Sequence, residues 1–315
     1  MYARIFAHYE GDEPYRTRLH RRLRAQMISL LLGWVRECAW PILLMTLATQ
    51  PRAEERGQAQ RIVSLSVCSD QLLLDLVSRD RIAALSYLAT DPTLSSKVAE
   101  AKGLPVIFGS AEEVLRVAPD LVIAQEYSMM ATVELLQRLG IRVLRVPLAA
   151  DIESMRQSIR LMAAAVDEKA RGERLIADFD ARIMAVRPIG RERPSALAYE
   201  VSSLASADGT LVDSMLNAAG FRNVARGNQL GPGGRFPLEK LVTHPPDLIV
   251  MANQPNEFRS VVGDNLRHPA FAAVAARKHR LALPMPYWLC PTPKIADAIE
   301  KLARIRQAII ARNAP

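Results

Sequence analysis

Residues 118–125 read APDLVIAQ and residues 245–253 read PPDLIVMAN, the same short unit twice. Each copy also has a glutamate seven residues before its second-position proline, Glu112 before Pro119 and Glu239 before Pro246. Proline ends a helix, aspartate satisfies nearby backbone N–H groups, and four consecutive apolar residues then enter a sheet. A strand that is apolar at every position is buried on both faces, which is the mark of a parallel sheet covered by helices. Pro-Asp alone is an ordinary helix-to-strand connector. Two copies with a glutamate at one common offset indicate an internal duplication.

The remainder of the chain fits that frame. From residue 61, a short β-branched run at 61–65 and further strand segments at 82–86, 121–124 and 143–146 alternate with helical segments, the first of which Ser69 is placed to cap. The alternation then stops. Residues 151–165 are helical, and a second helix from Asp167, a capping residue, runs to Arg187, where Pro188 ends it. Strands and helices resume at 195–199, 211–219, 248–251 and 281–283, with a last helix from Lys294. The expected fold is α/β: two lobes with mostly parallel sheets flanked by helices, joined by a single long helix. The expected boundaries are an N-terminal lobe over 61–166, the interlobe helix over 167–187 and a C-terminal lobe over 188–315.

Residues 1–60 read as an export signal or anchor with a linker. Arg16, Arg18, Arg21, Arg22 and Arg24 precede two apolar stretches, 27–35 and 38–48, divided by Arg36 and Glu37. A spanning helix needs about 20 apolar residues and a signal core only about 7–15, and 38–48 fits the second description. The expected location is therefore the export side of the membrane, with an uncleaved anchor over 27–48 as the alternative. The net charge of +8 forms no basic stripe beyond residue 60, so no nucleic-acid partner is expected.

Several segments in this order resemble a known family: RIVSLS at 61–66, the APDLVIA unit, AAGFRNVA at 218–225, FPLEKLVTHPPDLIV at 236–250 and LPMPYWLCPTPKIADAIEKLA at 283–303. They are similar to the periplasmic substrate-binding proteins that deliver cobalamin, ferric siderophores or haem to ABC importers. The resemblance covers about residues 61–312. It implies a ligand held between two lobes with modest hinge motion, an ABC permease and its ATPase subunits as partners, a corrinoid or iron-chelate ligand, a monomer, and no cofactor or catalysis. It further implies that Glu112 and Glu239 dock onto permease arginines, since a carboxylate and a guanidinium pair directionally. Glu113 is the competing candidate in the first lobe.

Ligand contacts are expected from loops at the strand ends that face the cleft: Tyr87, Phe108, Tyr127, Glu200, Tyr287 and Trp288, aromatic planes being suited to a flat or bulky organic ligand. Met129 and Met130 read more readily as core filler. Cys68 and Cys290 leave three readings open: a disulfide across the hinge end of the cleft, a thiolate contact to the ligand's metal, or two small buried apolar residues. The histidines, His8, His20, His244, His268 and His279, show no metal-ligand spacing, so no metal site is expected. GPGGR at 231–235 lacks the Lys-Ser/Thr of a phosphate cradle. An enzyme of similar two-lobed build, such as a tetrapyrrole metal chelatase, is the alternative from another class.

Overall fold

A computed structural model describes residues 58–227, 230, 234–252 and 264–313, so the expected export segment and most of the 231–235 loop lie outside the described residues. The first sheet comprises β1 (Ile62–Ser64), β2 (Ile82–Ser86), β3 (Val106–Ile107), β4 (Leu121–Gln125) and β5 (Val143–Val146), all parallel, in the order β3-β2-β1-β4-β5. Helices α1 (Val67–Leu76), α2 (Val98–Ala101), α3 (Ala111–Arg116) and α4 (Met130–Arg138) fill its crossovers. Two helices follow with no strand between them, α5 (Ile152–Ala165) and α6 (Lys169–Ala185). The second sheet, β6 (Ser195–Ala198), β7 (Arg222–Asn223), β8 (Leu248–Met251) and β9 (His279–Ala282), is parallel in the order β7-β6-β8-β9. It is served by α7 (Leu211–Ala218), α8 (Leu238–Thr243), α9 (Asp264–Arg267), α10 (Pro269–Arg277) and α11 (Ile295–Asn313).

The order β2-β1-β4-β5 in one sheet matches β7-β6-β8-β9 in the other, and the repeated unit supplies β4 and β8 in turn. Its aspartate does the same work in both. Asp120 Oδ2 accepts the backbone N–H groups of Gln60 (2.6 Å) and Arg61 (3.1 Å) at the entry to β1. Asp247 Oδ2 accepts the N–H of Ser195 (2.9 Å) and its hydroxyl (2.7 Å) at the entry to β6. Each Pro-Asp turn therefore locks its strand beside the first strand of its own sheet, and the four apolar residues follow in register: Ile62 against Leu121, Ala196 against Leu248.

Period-two alternation divides each strand between two cores. Leu121 and Ile123 face one cluster while Val122 and Ala124 face another; Leu248 and Val250 join the first cluster while Ile249 and Met251 face a third. The first cluster takes residues from both sheets and from α1, α5, α6, α7 and α11, so a single apolar core runs between the lobes. Such continuity favours small relative motion, because opening it would expose that surface.

Two capping expectations are corrected. Helix α1 starts at Val67 with Ser66 as its cap, accepting from the N–H of Ser69 at 3.3 Å, because β1 ends so close that the helix begins one turn earlier than Ser69 suggested. Asp167 does not cap the interlobe helix. It adopts a left-handed conformation (φ 59°), which aspartate tolerates better than most residues, and α6 begins at Lys169. Glu168, at the capping position, instead gives its carboxylate to Arg81 at 2.8 Å. Arg81, itself buried, also donates to the carbonyls of Ala59 (2.8 Å) and Val166 (2.6 Å), tying the first sheet to the α5–α6 turn. With 17 residues, α6 is about 25 Å long.

Helices α5 and α6 approach closely at Gly172, where a Cβ would meet the Ala163 methyl at 2.6 Å. Beyond that contact, toward the start of α5, polar pairs hold the seam, Arg160 to Glu173 (2.8 Å) and Arg156 to Asp180 (2.6 Å). Further along α6, Arg182 reaches Asp297 (2.6 Å) and Glu300 (2.8 Å) on α11. The long helix is thus fastened to α5 on one side and to the last helix on the other.

Candidate functional site

In a parallel sheet every strand ends on the same edge, so the loops that follow β1 to β5 collect along one rim and those that follow β6 to β9 along another. Cys68, in the first turn of α1 just after β1, and Cys290, in the segment after β9, are joined by a disulfide with Cα atoms 5.1 Å apart. This pairing brings the two rims together and locates the cleft between them. Of the three readings left open for the cysteines, the structure displays the bridge. A void of about 10 Å³ adjoins it, bounded by Cys68, Gln125, Val146, Pro147 and Pro291, roughly the volume needed to hold one water.

The first rim is aromatic and open. Tyr87, in the turn after β2, stacks on Phe108, which follows β3, with ring centroids 4.8 Å apart and planes 27° apart. Tyr87 is 45% exposed and Phe108 70%. Tyr127, after β4, is also 70% exposed, and Leu148, after β5, continues the apolar row. Met129 and Met130 are exposed and not core filler as expected. Gly109 allows the arrangement: its φ is +92°, and a Cβ there would collide with the end of the Met129 side chain. Neither constraint was visible before the two loops were placed side by side.

A buried carboxylate underlies this rim and was missed from sequence. Asp70 on α1 accepts the N–H of Ser86 (3.2 Å) and its hydroxyl (2.5 Å), fastening the last residue of β2 immediately before Tyr87. Burial pushes its carboxyl up to about 7, against the hydrogen bonds from Ser64 and Ser86, which pull it down. The one available signal was an aspartate placed just before the apolar triplet Leu72–Leu74 in DQLLLDLV.

The second rim differs from expectation. Glu200, after β6, lines a cavity of about 100 Å³ with Tyr199, Val201, Met251, Leu266 and Met285, and burial raises its carboxyl above the ordinary range. Tyr287 is half-buried, with Lys301 4.3 Å and Lys294 5.8 Å from its ring centroid, so its face is engaged by cations of the last helical segment. Trp288 requires a correction: at 5% exposure it packs into the core shared by the two lobes, its indole N–H has no partner among the described residues, and Leu289 is the exposed neighbour. The turn Met285–Tyr287 directs Trp288 inward, where its large ring buries more apolar surface than it would on the rim. The segment after β8, residues 253–263, lies outside the described residues.

The two glutamates take equivalent places. Each is the second residue of a six-residue helix, Glu112 on α3 and Glu239 on α8, and each is exposed. Neither carboxylate has a partner among the described residues. Glu113 is occupied: its carboxylate accepts the N–H groups of Ser110 (3.0 Å) and Phe108 (3.2 Å), closing a capping box with the Ser110 hydroxyl. Among the described residues no group of three or more His, Cys, Asp or Glu side chains is disposed to hold a metal ion.

Two parallel-sheet lobes that share a helical back and present their strand-end rims to a common cleft define the class III type of binding protein. The chain belongs to the periplasmic binding protein family, whose model matches residues 62–281. It is 22% identical over 284 residues, 84% of this chain and 75% of the relative, to a cobalamin-binding protein of Halobacterium salinarum. Among solved structures it is similar to a periplasmic heme-binding protein of Roseiflexus sp. RS-1 in apo form, with TM-score 0.64, 25% identity, and coverage of 80% of this chain and 98% of that one. The periplasmic vitamin B12 binding protein of Vibrio cholerae superposes with TM-score 0.60 at 17% identity, covering 80% and 98%, a likeness of fold. The family and these neighbours are binding proteins rather than enzymes.

Proposed function

We propose that the protein is the periplasmic receptor of an ABC importer, taking a cobalamin-like or ferric-chelate ligand in the interlobe cleft and presenting it to a permease. The observation that carries this reading is the Tyr87–Phe108 stack together with Tyr127, three exposed aromatic rings in the strand-end loops of the first sheet. Exposed aromatic surface of this kind is costly in water unless a ligand covers it. A flat or bulky organic ligand would gain area from the stack, and Glu200 on the facing rim offers a polar contact from a half-buried position. The name of the Halobacterium relative supports a corrinoid, and that of the Roseiflexus neighbour supports a haem-like chelate.

Glu112 and Glu239 are assigned the permease contacts. Their matched positions and unengaged carboxylates support two equivalent pairs with arginines across a two-fold partner, contributing orientation and encounter rate more than affinity. Titration of the protein with cobalamin, haem and ferric siderophores tests the ligand class, and failure of all of them to bind would refute it. Phe108→Ala is expected to weaken binding of the true ligand about tenfold. Glu112→Lys with Glu239→Lys should abolish permease-dependent uptake and leave binding intact; unchanged uptake would remove the docking assignment.

A further inference from the structure

Another cavity lies where the strands of the second sheet begin, away from the loops that follow them. Its walls come from α5 and α6, from the connector that leads into the N-terminal end of β6, and from the end of α7 that leads into β7. None of the strand-end loops contributes to it. The volume is about 370 Å³, within the roughly 300–1,000 Å³ of ordinary ligand pockets. The floor is carbon, from Ile183, Met184, Pro188 and Ala218, and Met184 is largely exposed above it.

The charge around this floor is not balanced. Arg156 and Asp180 satisfy each other at 2.6 Å, and Glu153 takes a further Arg156 N–H at 3.0 Å. Arg187 and Arg193 also line the cavity, and neither has a side-chain partner among the described residues. Arg306 of α11 lies directly behind: its guanidinium and the Pro188 ring both press on Gly220. It is only 4% exposed, donates Nη1 to the Ala219 carbonyl at 2.9 Å, and has no acceptor for Nε. Burial first, and then the nearby positive charge of Arg193, lower the guanidinium's affinity for its proton. The buried Arg306 guanidinium therefore lies in the field of the exposed Arg193 and makes no ion pair among the described residues, an arrangement that an anion bound beside Arg193 would relieve.

We propose that this cavity is a second binding site, for an organic anion bearing a carboxylate or phosphate on a short apolar body. Arg187 and Arg193 supply forked donors matched to a planar or tetrahedral oxyanion. The carbon floor takes the apolar body. The same chemistry is found in free amphipathic acids and in anionic lipids, and the two sources are separable.

The test uses the protein without any cleft ligand. Sodium octanoate is titrated by calorimetry, and vesicles of phosphatidylcholine with phosphatidylglycerol are tested by co-sedimentation. The wild type is compared with Arg187→Ala/Arg193→Ala and with the cleft variant Tyr87→Ala/Phe108→Ala. Saturable octanoate binding that weakens about tenfold or more in the arginine variant, with the cleft variant unaffected, supports a free acid as the ligand. Sedimentation with vesicles alone, lost in the arginine variant, supports a lipid. Binding of neither probe, or binding that the arginine variant retains, overturns the site. Because the cleft variant is a separate arm, failure here leaves the cleft reading standing.

Discussion

Asp70 shows how much one side chain under a binding rim can control. In the folded chain it keeps its proton up to about pH 7, whereas the unfolded value is 3.8. Between those values this group binds more protons in the folded state than in the unfolded one, so its contribution to stability is largest in acid and falls as pH rises through the window. Asp70→Asn removes the titration while keeping hydrogen bonds to Ser86. Urea unfolding at intervals from about pH 4 to pH 8 is expected to give a smaller loss with rising pH for the variant, and parallel curves would refute the assignment. The turn aspartates are the second case. Burial opposes ionisation of Asp247, but the Ser195 bonds and the Lys278 ammonium together outweigh it and hold its carboxyl below the usual range. Asp247→Ala should cost about 1–2 kcal/mol in unfolding free energy; Asp120→Ala, at a more exposed site, should cost less. These roles were half legible: Pro-Asp announced a turn with a capping carboxylate, but the strand it would cap, some 50–60 residues earlier, was not written nearby.

At the scale of elements, α3 separates two glutamates that the sequence left in competition. Glu113 belongs to the capping box and Glu112 to the surface. Glu113→Ala should lower stability by about 0.5–1 kcal/mol, while Glu112→Ala should leave the unfolding curve where it is. Equal effects would show the box to be unimportant. The α5–α6 seam makes a sharper demand. Gly172→Leu places a side chain where only the Ala163 methyl fits and should cost about 1–3 kcal/mol. Ala163→Gly introduced alongside it should recover part of that loss, and strict additivity in the double-mutant cycle would argue against direct contact. The length and apolar stripe of these helices were readable from periodicity. Their closeness at one glycine was not, because it depends on how two helices cross.

For the whole molecule, the disulfide has the widest reach. Cys68 and Cys290 are separated by 222 residues, so the bridge closes a loop around most of the fold and ties rim to rim. Chain entropy for such a loop amounts to about 5 kcal/mol, and measured values commonly run about 2–5 kcal/mol. Cys68→Ser/Cys290→Ser is expected to unfold at lower urea by a margin in that range. It should also widen the change in small-angle scattering on ligand binding, since the tether no longer limits lobe motion. Unchanged stability and scattering would refute both effects.

The sequence by itself determined what depends on near neighbours: the buried parallel strands, the Pro-Asp turns, the interruption by two helices, and the paired glutamates at one offset. Those features follow from side-chain periodicity and local backbone chemistry, which are complete within a dozen residues. Tertiary structure alone decided that Trp288 turns inward, that Asp70 is buried beneath Tyr87, that Met129 and Met130 stay exposed, and that Cys68 meets Cys290. Each of these depends on which distant surface arrives opposite a residue, and burial, pairing and charge compensation are properties of that encounter.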